Sequence, residues 1–269
     1  MSKKEIIIIG SLALIGLVLA TQYDLQISQT LFDQSNWIGH FGEAFGEFPG
    51  LMVGTLSSAV LILTRNKQSN RSNIGSILFG GLFFVGLSLV AGSIPFVYLN
   101  YPWWYGLFIA PFLIGGSAFL LHKIPPSLYP QLRKIAWIGI LTLLTTIVTI
   151  NVVKLSWSRV RFKDMIDSFS TFTPWFQSNW FTGNTNLTSF PSGHVATASV
   201  IMVITLLPYT IPSLKKQAPL LKAVSYGWII MVMVSRIIIG AHFLSDTIVG
   251  ALIGLGIFWL IAHAAKIRP

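Results

Sequence analysis

Apolar residues gather along this chain in long runs, at roughly 5–21, 48–64, 74–96, 103–121, 135–153, 193–212, 223–241 and 246–264. Several approach the twenty or so residues that cross about 30 Å of hydrocarbon as a helix. Backbone groups in lipid must be satisfied within the protein, so such runs become helices. The pattern predicts an all-α fold, a polytopic transmembrane helical bundle of about eight spans. The first two runs are short for a span.

Composition agrees. Only 10% of residues are charged and 53% are hydrophobic, whereas soluble domains carry about a quarter charged residues. No low-complexity tract, long linker or internal repeat interrupts the chain, so one membrane-embedded domain over 1–269 is expected. The absence of cysteine excludes disulfides, thiolate metal sites and a cysteine nucleophile. The formal net charge of +10 looks at first like a nucleic-acid signal. With a cytoplasmic N-terminus and eight spans, however, 13 of the 18 basic residues fall on the cytoplasmic side, from Lys3 and Lys4 to Lys266 and Arg268. All acids but Glu5 fall at or beyond the outer boundary. The basic excess is therefore positive-inside topology, with both termini cytoplasmic and no nucleic-acid partner. The opening "MSKKEIIIIGSLALIGLVLA" also has the shape of a signal peptide, but lacks a clear A-x-A site; a retained helix is the expectation.

Five basic residues stand on the outer side against the charge rule: Lys154, Arg159, Arg161, Lys163 and Arg236. Lys154 and Arg161 are seven apart, near one face if the fifth span continues as helix. "PSGH", residues 191–194, opens the sixth, and "SRIIIGAHFLSD", residues 235–246, sets His242 four before Asp246. By parity these stretches reach one surface. Lys154, Arg161 and Arg236 can clamp a multiply charged anion. Ser192 can cap the sixth helix, and Gly193 lets its amide approach a phosphate closely. His242 with Asp246 reads as a nucleophile and its orienter, with His194 as general acid. Taken singly, each has a bland reading: an interfacial histidine is usually structural, and a lone cation at a helix end usually snorkels. Two histidines, an acid and three cations on one surface argue for a site.

Lys-x6-Arg, Pro-Ser-Gly-His and Ser-Arg-x5-His-x3-Asp, in order from Lys154 to Asp246, resemble the three signatures of the type 2 phosphatidic acid phosphatase superfamily. The resemblance implies a six-helix phosphatase-like core, with Lys154, Arg161, Ser192, Gly193 and Arg236 holding phosphate. It implies His242 as nucleophile, His194 as acid and Asp246 as support. Phe162 stands where the first signature usually has proline; a proline there fixes backbone without touching phosphate, so the chemistry is expected to survive. A further helix pair is expected within 74–121.

"HFGEAFGE", residues 40–47, sets His40, Glu43 and Glu47 at helical spacing; a solvated amphipathic loop is the expectation rather than a metal site. Tyr101, Trp103, Trp104, Trp175 and Trp180 read as interfacial anchors, those in the 162–190 loop with a possible part in lipid entry. Gly250, Gly254 and Gly256 read as close packing within the bundle, and Asn186-Leu187-Thr188 is a sequon. The expected function is a bacterial lipid phosphatase of the plasma membrane, its site extracytoplasmic, needing no metal or other cofactor. It acts through a phosphohistidine on a bilayer-held substrate such as undecaprenyl diphosphate, phosphatidylglycerophosphate or phosphatidate. A phosphotransferase with the same site and a non-catalytic anionic-lipid transporter are the alternatives; oligomeric state is left open.

Overall fold

The computed structural model of the chain describes residues 3–65, 68, 70–166, 168–178 and 188–267. Regular structure there is helical, apart from one isolated bridge between Arg159 and Thr188. The helices are α1 (Lys3–Leu31), α2 (Trp37–Phe45), α3 (Phe48–Leu63), α4 (Asn70–Tyr98), α5 (Gly106–His122), α6 (Tyr129–Trp157), α7 (Gly193–Ser199), α8 (Ala218–Ile238) and α9 (Leu244–Ala264). Seven helical stretches among the described residues are long and apolar enough to cross a membrane, with α2 and α3 counted together. The protein is a multi-pass membrane protein.

The sixth of the eight expected spans is shorter, Gly193–Tyr209. Its first part is α7, and from Val200 to Tyr209 it winds as a 3-10 helix. At about 1.5 Å per α residue and about 2.0 Å per 3-10 residue, these segments together reach about 30 Å. The tighter winding lets a short segment cover a membrane's hydrocarbon. It runs through the centre of the bundle: Val195, Ala198, Val200, Met202 and Leu206 are buried with Leu143, Val232 and Phe258.

Two of the sequence boundaries move. The first helix continues past its apolar run to Leu31, because Asp24 and Ser28 turn inward and are buried. The second span begins at Trp37, so residues 40–47 are not a solvated loop. Asn36 caps α2 by accepting from the Ile38 and Gly39 amides, and the helix lies against α8 with Gly42 over Ser235. Removing side chains at that contact brings the two backbones together, which carries Glu43 and Glu47 inward. The glycine stripe on α9 also packs inside: a Cβ on Gly250 would meet the Ser192 carbonyl at 2.5 Å and one on Gly254 the Ala196 carbonyl at 2.6 Å, whereas Gly256 faces open space.

Helices α4 and α5 pair with each other and lean on α3. Their outer faces, with Leu78, Leu82, Phe108 and Phe112, are exposed, as are Leu12, Leu14 and Val18 of α1. In a soluble protein such a surface would be anomalous; here it is the face toward lipid. Tyr101, Trp103 and Trp104 are exposed at the turn joining α4 to α5, suited to an interfacial position. Trp175 donates from its ring nitrogen to Thr21 Oγ1 of α1 at 3.1 Å. Trp180 and the first two sequon residues lie outside the described residues, as do Lys67 and Arg268.

Candidate active site

The termini of α1, α2, α4, α6, α7, α8 and α9 at one end of the bundle bring the predicted site residues together. Lys154 lies in the last turn of α6, which stops at Trp157 because Ser158 adopts the left-handed conformation (φ 48°). Lys154 and Arg161 therefore do not share a helix face as the spacing predicted. Arg161 instead sits in extended backbone (φ −79°, ψ 151°), the conformation that a following proline would favour. Phe162 fills the proline's place by packing: it is buried, edge-on to Phe32 and stacked on Phe169 at 5.7 Å. The Lys163 amide adds a bond to the Gly240 carbonyl at 2.9 Å. So fixed, Arg161 donates through Nη2 to Thr188 Oγ1 at 2.9 Å.

Ser192 occupies the N-cap position of α7 but makes no capping hydrogen bond. Its buried hydroxyl has no partner in the protein, and neither do Arg161 Nε, Arg236 Nε or Arg236 Nη1. A Cβ on Gly193 would meet Lys154 Nζ at 3.5 Å, which puts the ammonium over the start of α7. Buried donors ordinarily find acceptors. Three side chains with four unmatched donors, plus a lysine, form a cradle suited to an oxyanion.

His242 is buried in the turn between α8 and α9, and its Nδ1 lies 2.6 Å from the Ser189 carbonyl. A carbonyl only accepts, so Nδ1 carries the proton and Nε2 keeps its lone pair. Burial foremost, assisted by the Lys154 and Arg236 charges, lowers the imidazole pKa to about 4. The ring is neutral at pH 7. The orienting hydrogen bond thus comes from Ser189 rather than Asp246, whose Oδ2 is 3.8 Å from Nδ1. That carboxylate is engaged elsewhere: Oδ2 accepts from Ser189 Oγ at 2.6 Å and from the Phe243 amide at 2.8 Å, and Oδ1 accepts from Arg159 Nη1 at 2.6 Å. Asp246 supports His242 through Ser189 and the helix start.

Arg159 is the residue that sequence reasoning counted but gave no role. It is fully buried, bonds Asp246 on one side and Asp24 of α1 on the other (Nη2 to Oδ2, 3.0 Å), and lies over the Phe243 ring at 4.1 Å. Its Nε donates to the Thr173 carbonyl at 3.0 Å. Ser245 ties the acids further, donating its amide to Asp24 Oδ1 at 3.0 Å and its hydroxyl to Oδ2. Asp24 lies within α1, beyond the apolar run 5–21, where the sequence reading counted it among the acids at the outer boundary.

His194 is buried at the start of α7. Its Nε2 lies 3.1 Å from the Glu43 carbonyl, and its Nδ1 3.8 Å from Glu47 Oε1. Tyr98, at the end of α4, packs on the ring at 4.9 Å, and Glu43 Oε1 pairs with Arg236 Nη2 at 3.3 Å. The two glutamates and Tyr98 are additions to the predicted set. His40 stays 48% exposed at the rim, and among the described residues no three His, Asp or Glu side chains gather as metal ligands.

Residues 135–268, which hold every predicted site residue, match the family model of the PAP2 superfamily. The chain belongs to that superfamily. No curated protein and no solved structure matches it significantly. Membership in the PAP2 superfamily gives the protein a phosphatase-type activity, and the matched segment runs from within α6 through α9. Asp24, Glu43, Glu47 and Tyr98 come from outside that segment, so in this PAP2 protein the site is completed by the N-terminal helices.

Proposed function

We propose that this PAP2 protein removes a terminal phosphate from a membrane lipid by way of a phosphohistidine on His242. The observation that carries the reading is the set of unmatched buried donors on Ser192, Arg161 and Arg236 beside a neutral histidine. Lys154 and the two arginines neutralise the phosphoryl oxygens as charge redistributes among them. His242 Nε2 bonds to phosphorus while the bond from phosphorus to the lipid oxygen breaks. The departing oxygen takes the proton carried by His194. A water then gives a proton to His194 as its oxygen bonds to phosphorus, the P–N bond breaks, and the electron pair returns to His242. No step calls on a metal ion, since fixed cations supply the charge stabilisation.

The place of the cradle supports a lipid substrate. The cradle lies at the helix ends of a bundle whose flanks face lipid, so a headgroup can reach it while its tail stays in the bilayer. The basic residues concentrated at the other end support a site on the extracytoplasmic face of the plasma membrane. Undecaprenyl diphosphate, phosphatidylglycerophosphate and phosphatidate all present the required terminal phosphate. Phosphate release from these three in mixed micelles with EDTA tests the reading. Wild type is expected to turn over at least one of them, and His242→Ala none. Activity that zinc or magnesium must restore after chelation refutes the metal-free mechanism.

A further inference from the structure

The proposed reaction leaves two acids at the site without a role, Glu43 and Glu47. Glu43 is accounted for by its pairing with Arg236. Glu47 is different: its carboxylate faces Nδ1 of His194 at 3.8 Å and is 16% exposed. Because the Glu43 carbonyl occupies Nε2 of His194, Nδ1 is the nitrogen that exchanges a proton, and Glu47 is the acid beside it. The corner carrying Glu47 is held firmly. Trp228 of α8 donates to the Gly46 carbonyl at 3.0 Å, and a Cβ on Gly46 would meet Val232 at 3.1 Å. The Tyr98 ring packs against the imidazole, tilted by 55° at 4.9 Å.

Resting on the phosphatase reading above, we propose that Glu47 is a positioning residue for His194. Its carboxylate steadies the imidazolium that protonates the leaving oxygen, and recovers it when His194 takes the proton from water. Glu47 forms no bond to substrate and keeps its own protonation state through the cycle; the proton moves between His194 Nδ1 and the lipid oxygen or water. The acid side of the reaction is thus organised by the α2–α3 corner, outside the matched residues 135–268, while the nucleophile side is organised by α9 and the segment after α6.

A leaving-group comparison tests this. An alkyl phosphate such as dioctanoyl phosphatidate needs its leaving oxygen protonated, whereas p-nitrophenyl phosphate releases a stable anion that does not. The ratio kcat/KM reports the steps up to phosphohistidine formation for both. Glu47→Gln is expected to lower kcat/KM for the phosphatidate by at least about tenfold, a fraction of what a general acid supplies, and for p-nitrophenyl phosphate by less than about threefold. His194→Ala is expected to show the same contrast, more strongly. A parallel fall on both substrates overturns the proposal, since a packing defect would act on both; so does an unchanged Glu47→Gln enzyme. If the wild type hydrolyses neither of these substrates, nor undecaprenyl diphosphate or phosphatidylglycerophosphate, the phosphatase reading itself fails and this proposal with it.

Discussion

Arg159 holds two carboxylates from opposite ends of the chain, and the energetic consequence can be worked out. Its contacts to Asp24 and Asp246 are 3.0 and 2.6 Å, and all three side chains are at most 1% exposed. At an effective dielectric of about 20, an ion contact near 3 Å has a gross attraction of about 5 kcal/mol, much of it offset by the cost of removing the ions from water. Deleting one partner recovers none of that cost. Arg159→Met keeps apolar bulk over Phe243 but leaves two buried carboxylates facing each other, and is expected to cost about 3–5 kcal/mol. Asp24→Asn leaves Arg159 paired with Asp246 and keeps an oxygen for the Ser245 amide, so about 1–3 kcal/mol is expected. In the double variant the lone Asp24 charge no longer exists, so the combined loss should fall short of the sum by at least about 1 kcal/mol. Reversible unfolding in mixed micelles measures all four corners of the cycle. Activity should fall with stability in Arg159→Met, because Asp246 holds the Ser189 hydroxyl and the Ser189 carbonyl orients His242. Additivity within about 0.3 kcal/mol, or an Asp24→Asn protein indistinguishable from wild type, would refute the coupling.

Two further outcomes follow from the site. Ser192→Ala removes a hydroxyl that bonds nothing in the protein, so the unfolding midpoint should hold while inhibition by vanadate weakens about five- to tenfold, the loss of one hydrogen bond; a drop in stability instead would make Ser192 a structural cap. His242 has a pKa near 4 in the folded protein against an ordinary value of 6.5, so the unfolded chain binds more protons between those values. Its contribution, up to about 3 kcal/mol, is present above pH 6.5 and is lost as pH falls toward 4; unfolding curves of His242→Gln should lack that part of the acid sensitivity.

The sequence by itself determined a bundle of membrane-long apolar helices and which signatures meet at one end of it. Apolar run length is a local property that the bilayer reads directly. The signatures at 154–161, 191–194 and 235–246 are short enough for local geometry to keep their members together, as His242 and Asp246 show at 3.8 Å. Where local geometry changed, spacing failed: the left-handed Ser158 ends α6, and Arg161 reaches the site from extended backbone that Phe162 anchors by packing instead of by a proline's ring. Only the tertiary structure decided which charges meet. Asp24 and Arg159 are 135 positions apart, and Glu47 joins His194 because glycines on α2 let it settle against α8. No periodicity along the chain encodes such pairings. They arise when helix ends from distant parts of the sequence share one buried pocket, where every charge must find its partner.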